Sequence, residues 1–162
     1  MNYEYFAEME AGTLLKAEDE SEQAFMERVL SAVISECPED TCVRFNERLN
    51  PSFCGCDAER RSVTVAFSTE EWMLNPNGTL HGGISAAAVD IVMSVLTRFL
   101  MKKRIAVTVQ LNTTYLKTIQ RGERFVVCVT ADHAGRRCVM TRAEVTGENS
   151  GRLAMTASGV LM

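Results

Sequence analysis

The stretch LNPNGTLHGGISAAAVD, from Leu74 to Asp90, sets an asparagine-rich turn and His81-Gly82-Gly83 directly before an apolar run that carries one carboxylate. A buried carboxylate without a partner costs on the order of several kcal/mol, so Asp90 must meet water, be paired, or take part in chemistry. Backbone N–H groups at the start of a helix lack intrahelical acceptors and sit at its positive end, and glycine lets a ligand come close to that backbone. Gly82 and Gly83 are therefore candidates to hold a carbonyl oxygen that gains negative charge during acyl transfer, a role worth on the order of 100- to 1000-fold in rate per donor. Asp90 stands two helical turns further on. It meets a carbonyl held at the helix start only across a small gap or from another subunit. Plainer roles compete at each position: the glycines relieve crowding, Asn75 or Asn77 forms a turn, His81 caps the helix, and Asp90 lies on the helix surface.

The run from Ile84 to Met101 is long enough for roughly 27 Å of helix, which raises the question of a membrane span. Ser85, Asp90, Ser94, Thr97 and Arg98 interrupt it, and Lys102, Lys103 and Arg104 follow where cations favour the negative end of a helix. A helix buried within protein is the better reading, and no membrane partner is expected. Downstream the period changes to two, with Val107, Val109, Leu111, Thr113 and Tyr115 on one predicted face and Thr108, Gln110, Asn112 and Thr114 on the other. Further strands are predicted around Phe125 to Val129, Val139 to Val145 and Leu153 to Ala157, separated by the turn signals Arg121-Gly122, Ala134-Gly135 and Gly147 to Gly151.

Before the turn, Val63, Val65 and Phe67 alternate with polar or small residues and predict a strand. Pro51 and Gly55 suggest a turn ahead of it, and a weaker strand is predicted over Thr41 to Leu49. Short connections imply antiparallel neighbours, so one long helix amid five or six strands predicts an α+β fold. Residues 1 to about 18 show no period. From Ser21 onward, Phe25, Met26, Val29, Leu30, Val33 and Ile34 form one apolar stripe at helical spacing, and Pro38 stops it.

The bulk properties fit one domain: 162 residues, 46% of them hydrophobic, are enough for a single core and argue against overall disorder. Residues 1–40 carry eleven acidic side chains against Lys16 and Arg28, which disfavours nucleic acid as a partner of that segment. The remainder is net positive and mildly suited to an anionic ligand. Six cysteines occur without a secretory leader pattern, so a reducing cytoplasm is the expected location. Cys54-Gly55-Cys56 is the one suggestive spacing. With two histidines and no second close cysteine pair, it predicts free thiols and no metal site.

NPNGTLHGGISAAAVD followed by VTVQLNTTYLK closely resembles the hotdog-fold acyl-CoA thioesterases of the PaaI and THEM-type group. The match rests on an asparagine, six residues to His-Gly-Gly and nine more to an acid, and it covers residues 40–162. Residues 1–39 remain an acidic extension with one helix. The resemblance implies a hotdog fold, a long central helix packed against a five- to six-stranded antiparallel sheet, with active sites at the boundary between subunits of a homotetramer, or failing that a dimer. It implies Asp90 as general base or nucleophile, Asn75 as a positioner of the thioester carbonyl or the water, and His81 as an orienting residue. Thr108 would hold the water against the acid. Gly135, Arg136 and Arg137 stand at a predicted turn where related enzymes often place basic residues near coenzyme A phosphates, and arginine suits phosphate through forked hydrogen bonds. Lys117-Thr118-Ile119 departs from relatives that carry a proline there, which puts the shape of that loop in question. The expected activity is hydrolysis of an acyl- or aryl-CoA thioester, with no cofactor beyond the coenzyme A of the substrate. The alternatives are a hotdog dehydratase or hydratase and a non-catalytic acyl-CoA sensor.

Overall fold

The apolar run after Gly83 must be hidden from water, and Ala88, Val89, Ile91, Val92, Met93, Val95 and Leu96 are all buried along one helix. The computed structural model describes residues 15–35 and 45–162. Most of the acidic lead, together with Cys37, Pro38 and Cys42, lies outside the described residues. In chain order the elements are helix α1 (Glu22–Ser35), the short helix α2 (Phe45–Arg48), strands β1 (Ser52–Asp57) and β2 (Ser62–Phe67), a single 3-10 turn (Glu71–Met73), helix α3 (Gly82–Met101), and strands β3 (Thr108–Tyr115), β4 (Phe125–Ala134), β5 (Val139–Gly147) and β6 (Leu153–Leu161).

The strands form one antiparallel sheet of six in the order β1-β2-β4-β5-β6-β3. Its inner face follows the predicted alternation: Phe125, Val127, Val129 and Ala131 on β4 and Val139, Thr141, Ala143 and Val145 on β5 are buried, while their neighbours along the strands are more exposed. This face packs on α3, which is the long helix expected from the sequence. By length and composition α3 is apolar enough to cross a membrane, but here it is the core helix of the sheet. It ends at Lys102, whose left-handed backbone (φ 52°) turns its N–H back onto the Arg98 and Phe99 carbonyls.

The expected stripe of α1 is buried in full, from Phe25 to Ile34, and joins the same core. The Phe25 and Phe99 rings lie 5.6 Å apart, centroid to centroid. The Gln23 carboxamide fastens the helix to β1: its Nε2 donates to the Cys56 carbonyl (2.7 Å) and its Oε1 accepts from the Ala58 N–H (2.8 Å). Edge-strand groups that would otherwise face water are thereby satisfied.

Two expectations need correction. The strand predicted over Thr41 to Leu49 is absent from its described part, where α2 stands instead. Phe45 meets Trp72 edge-on, and the Arg48 guanidinium lies 4.5 Å over the same ring, so contacts with the 3-10 turn decide the local structure. The turn predicted around Gly55 is strand β1. Pro51 precedes it, and Gly55 adopts φ 153° beside a register shift against β2, so these residues mark a bulged edge strand.

If α1 is an integral part of the core, Phe25→Ala lowers stability by about 3 kcal/mol, the usual scale for emptying a buried aromatic site. Urea unfolding reads this directly. A loss under about 1 kcal/mol would make α1 a dispensable appendage.

Candidate active site

The turn before α3 is built by Asn75. Its Oδ1 accepts from the N–H groups of Asn77 (2.9 Å) and Thr79 (3.3 Å), and its Nδ2 donates to Thr79 Oγ1 (2.9 Å). The Asn75 N–H bonds to the Thr79 carbonyl, and the His81 N–H to that of Met73, closing a small hairpin. Gly78 supplies its left-handed residue (φ 74°). The Asn75 side chain is thus engaged inside its own loop, while the residue also lines a cleft of about 190 Å³ with Thr79, Gly82, Ser85, Ile119 and Met155.

His81 caps α3. Its Nδ1 accepts the Gly83 N–H at 2.9 Å, and its carbonyl accepts from the N–H groups of Ile84 (2.9 Å) and Ser85 (3.2 Å). Gly83 therefore has no N–H left for a ligand. Among the described residues the Gly82 N–H has no acceptor; it is a donor at the positive end of the helix, and Gly82 lines this cleft. The sequence pointed to both glycines; the capping bond selects one.

The half-buried Asp90 is paired. Thr108 Oγ1 donates to its Oδ1 at 2.6 Å, a short bond of the kind expected for a charged acceptor. Strict alternation had put Thr108 on the face opposite Tyr115, yet both side chains reach α3: Thr108 at Asp90 and Tyr115 at Gly82. The correction lies in a register shift between Thr108 and Gln110 in the pairing of β3 with β6. The extra residue changes the face of everything before it and aims Thr108 inward, as bulges beside functional sites often do.

Tyr115 is a residue whose contact with the helix start was not anticipated. Its hydroxyl donates to the Gly82 carbonyl at 2.9 Å, and its ring closes over the glycine. The strand pattern signalled only its position at the end of β3.

Within one chain, then, two candidate half-sites are held apart. Gly82 and Asp90 are eight residues apart on α3, or roughly 12 Å along its axis. Strand β3 is an edge of the sheet, with Val107, Val109 and Tyr115 more than half exposed. Gly135, Arg136 and Arg137 form the β4–β5 turn, with both arginines exposed. Val139 pairs with Leu161 and Leu161 with Thr108, so this turn lies at the Thr108 end of the sheet, remote from Gly82.

Cys54, Cys56, Cys128 and Cys138 are free thiols, and no group of three metal-ligating side chains occurs among the described residues. Burial, reinforced by the nearby Glu27 charge, pushes the Cys56 thiol up to about 11, which leaves it a poor nucleophile at neutral pH.

Comparison with known proteins bears on this geometry. The family model of the thioesterase superfamily matches residues 77–154. A putative esterase of Pseudomonas aeruginosa is 32% identical over 114 residues, covering 69% of this chain and 82% of that protein. Human acyl-coenzyme A thioesterase 13 is 29% identical over 91 residues, 56% of this chain; the match spans 65% of the human protein's length. Among solved structures, mouse thioesterase superfamily member 2 superposes with a TM-score of 0.69 at 23% identity, over 83% of this chain and 95% of that one. A Streptococcus mutans protein solved bound to acetyl CoA gives 0.63 at 19% identity, over 78% and 94%. The fold is the hotdog fold, with an added helix α1 packed into its core. By this relationship, and by a site that begins at the turn where the family match begins, the chain belongs to the thioesterase superfamily.

Proposed function

We propose that this protein hydrolyses an acyl- or aryl-CoA thioester to the free acid and coenzyme A. The observation that carries the reading is the Thr108 to Asp90 hydrogen bond, which holds one carboxylate oxygen and leaves the other available to a water. Water attacks the thioester carbonyl carbon while Asp90 takes its proton. The oxygen that becomes negative is stabilised by the Gly82 N–H at the helix start. Collapse of the tetrahedral intermediate breaks the carbon–sulfur bond, and the departing thiolate recovers the proton from Asp90. His81 acts through the loop, because its Nδ1 is engaged by Gly83. That role fits hydrolysis better than the proton transfers at carbon that a dehydratase asks of its histidine.

The two half-sites meet between subunits. If the exposed edge β3 pairs antiparallel with a second copy about a two-fold axis, the Thr108 end of one strand lies at the Tyr115 end of its partner. Asp90 of one protomer then faces Gly82 and the Asn75 loop of the other. We propose a homodimer of this kind as the catalytic unit, paired into a homotetramer. The Arg136 and Arg137 turn, at the Thr108 end, is the proposed site for coenzyme A phosphates. The reaction requires no cofactor beyond the coenzyme A of the substrate, and four free thiols suit a reducing cytoplasm.

Thiol release from a panel of acyl- and aryl-CoA thioesters tests this reading. Asp90→Asn should lower turnover at least about 100-fold at unchanged fold. Turnover that survives the substitution would remove Asp90 from the reaction. Gly82→Pro deletes the donor at a position whose backbone suits proline, which is favoured at the first helical position, with His81 at φ −66° and ψ 131° already in the conformation a preceding residue needs. The added Cβ stands 3.1 Å from the Tyr115 ring, which must give by a few tenths of an ångström, so Gly82→Ala, which adds the same Cβ and keeps the N–H, is the control. A loss of about 100- to 1000-fold is expected in kcat for Gly82→Pro, and a rate within about three-fold of wild type would place the oxyanion elsewhere.

A further inference from the structure

Glycine is the residue least able to hold its own backbone in place, and the first turn of a helix is where backbone order is weakest. Gly82 nevertheless carries the donor on which the proposed reaction depends. Two side chains compensate, one from within the helix and one from the sheet. Ser85 Oγ donates to the Gly82 carbonyl at 2.9 Å, from one turn further along α3. Tyr115 Oη donates to the same carbonyl at 2.9 Å, from the last residue of β3. The Tyr115 ring also fills the space a side chain would take: a Cβ built on Gly82 would lie 3.1 Å from Cε1 and 3.2 Å from Cζ. The peptide on the other side of Gly82 is fixed by the His81 carbonyl, which accepts from Ile84 and Ser85.

We infer that Tyr115 is a positioning residue for the oxyanion donor: through the Gly82 carbonyl and its ring contact it fixes the Gly82 backbone, and so the place of the N–H that Gly82 carries at the helix start. The inference rests on the hydrolase reading above. Tyr115 is exposed over about half its surface (53%), so core packing alone does not explain its place. A tyrosine is needed because the ring supplies the wall and the hydroxyl the anchor. Phenylalanine keeps the first and loses the second. Because Gly82 is fixed while the substrate's distant groups are untouched, the effect belongs in kcat and not in KM.

The test combines kinetics with glycine-selective ¹⁵N spectra of the intact oligomer, in wild type, Tyr115→Phe and Asp90→Asn. Tyr115→Phe is expected to lower kcat about three- to ten-fold, the scale of one neutral hydrogen bond, with KM within about two-fold. In the spectra the Gly82 and Gly83 amide signals should move, while those of the distant Gly55 and Gly135 stay. Unchanged kcat, a loss confined to KM, or unmoved Gly82 and Gly83 signals would each overturn the positioning role. A wild type without turnover on any thioester would instead remove the hydrolase reading and the catalytic part of this inference with it. The spectra distinguish that failure, since they report the Tyr115 anchor whether or not turnover is found.

Discussion

The structure depends on one constraint: a twenty-residue helix, apolar over most of its surface, must be covered on nearly every side. The inner face of the sheet covers one side and α1 the other, which is why α1 shares a core with the strands. Covering α3 costs its polar residues their access to water, and near the site a partner offsets that cost. Ser85 turns back to the Gly82 carbonyl, and Asp90 is met by Thr108 from the edge strand. The first turn escapes this enclosure, and the Gly82 N–H remains open at the positive end of the helix. Burial thus sets the two groups the proposed chemistry needs, a restrained carboxylate and a free backbone donor.

Much of this was legible in the residues. The 3.6-residue stripe from Phe25 to Ile34 and the apolar run to Met101 announce two helices, because each buries a face whose period is set by local geometry. Alternation gave β2, β4, β5 and β6 for the same reason. The turn chemistry around Asn75 and the His-Gly-Gly start were readable because they rest on backbone needs that few residue types meet. Gly55 and Phe45 were misread because their roles are set at long range, by a bulged pairing with β2 and by edge-on contact with Trp72.

Thr108 shows the limit most clearly. Its partnership with Asp90 came from resemblance, while its own strand pattern pointed the side chain the wrong way. A single extra residue between Thr108 and Gln110 reverses the face, and period-two alternation carries no trace of such an insertion. The Tyr115 anchor is equally invisible in sequence, a single hydrogen bond between residues that would look ordinary elsewhere, whereas a capping role for His81 was one of the readings its position allowed.

The central claim is that Asp90 and Gly82 of different protomers serve one carbonyl. It is tested by mixing two separately purified and inactive variants, Asp90→Asn and Gly82→Pro, under conditions that let subunits exchange. In a mixed dimer one site carries both substitutions and the other carries neither, so random reassortment should restore about a quarter of wild-type activity per site. If instead the mixture stays as inactive as its components, while exchange is verified by mass, each site is made within one chain and the shared-site account is wrong.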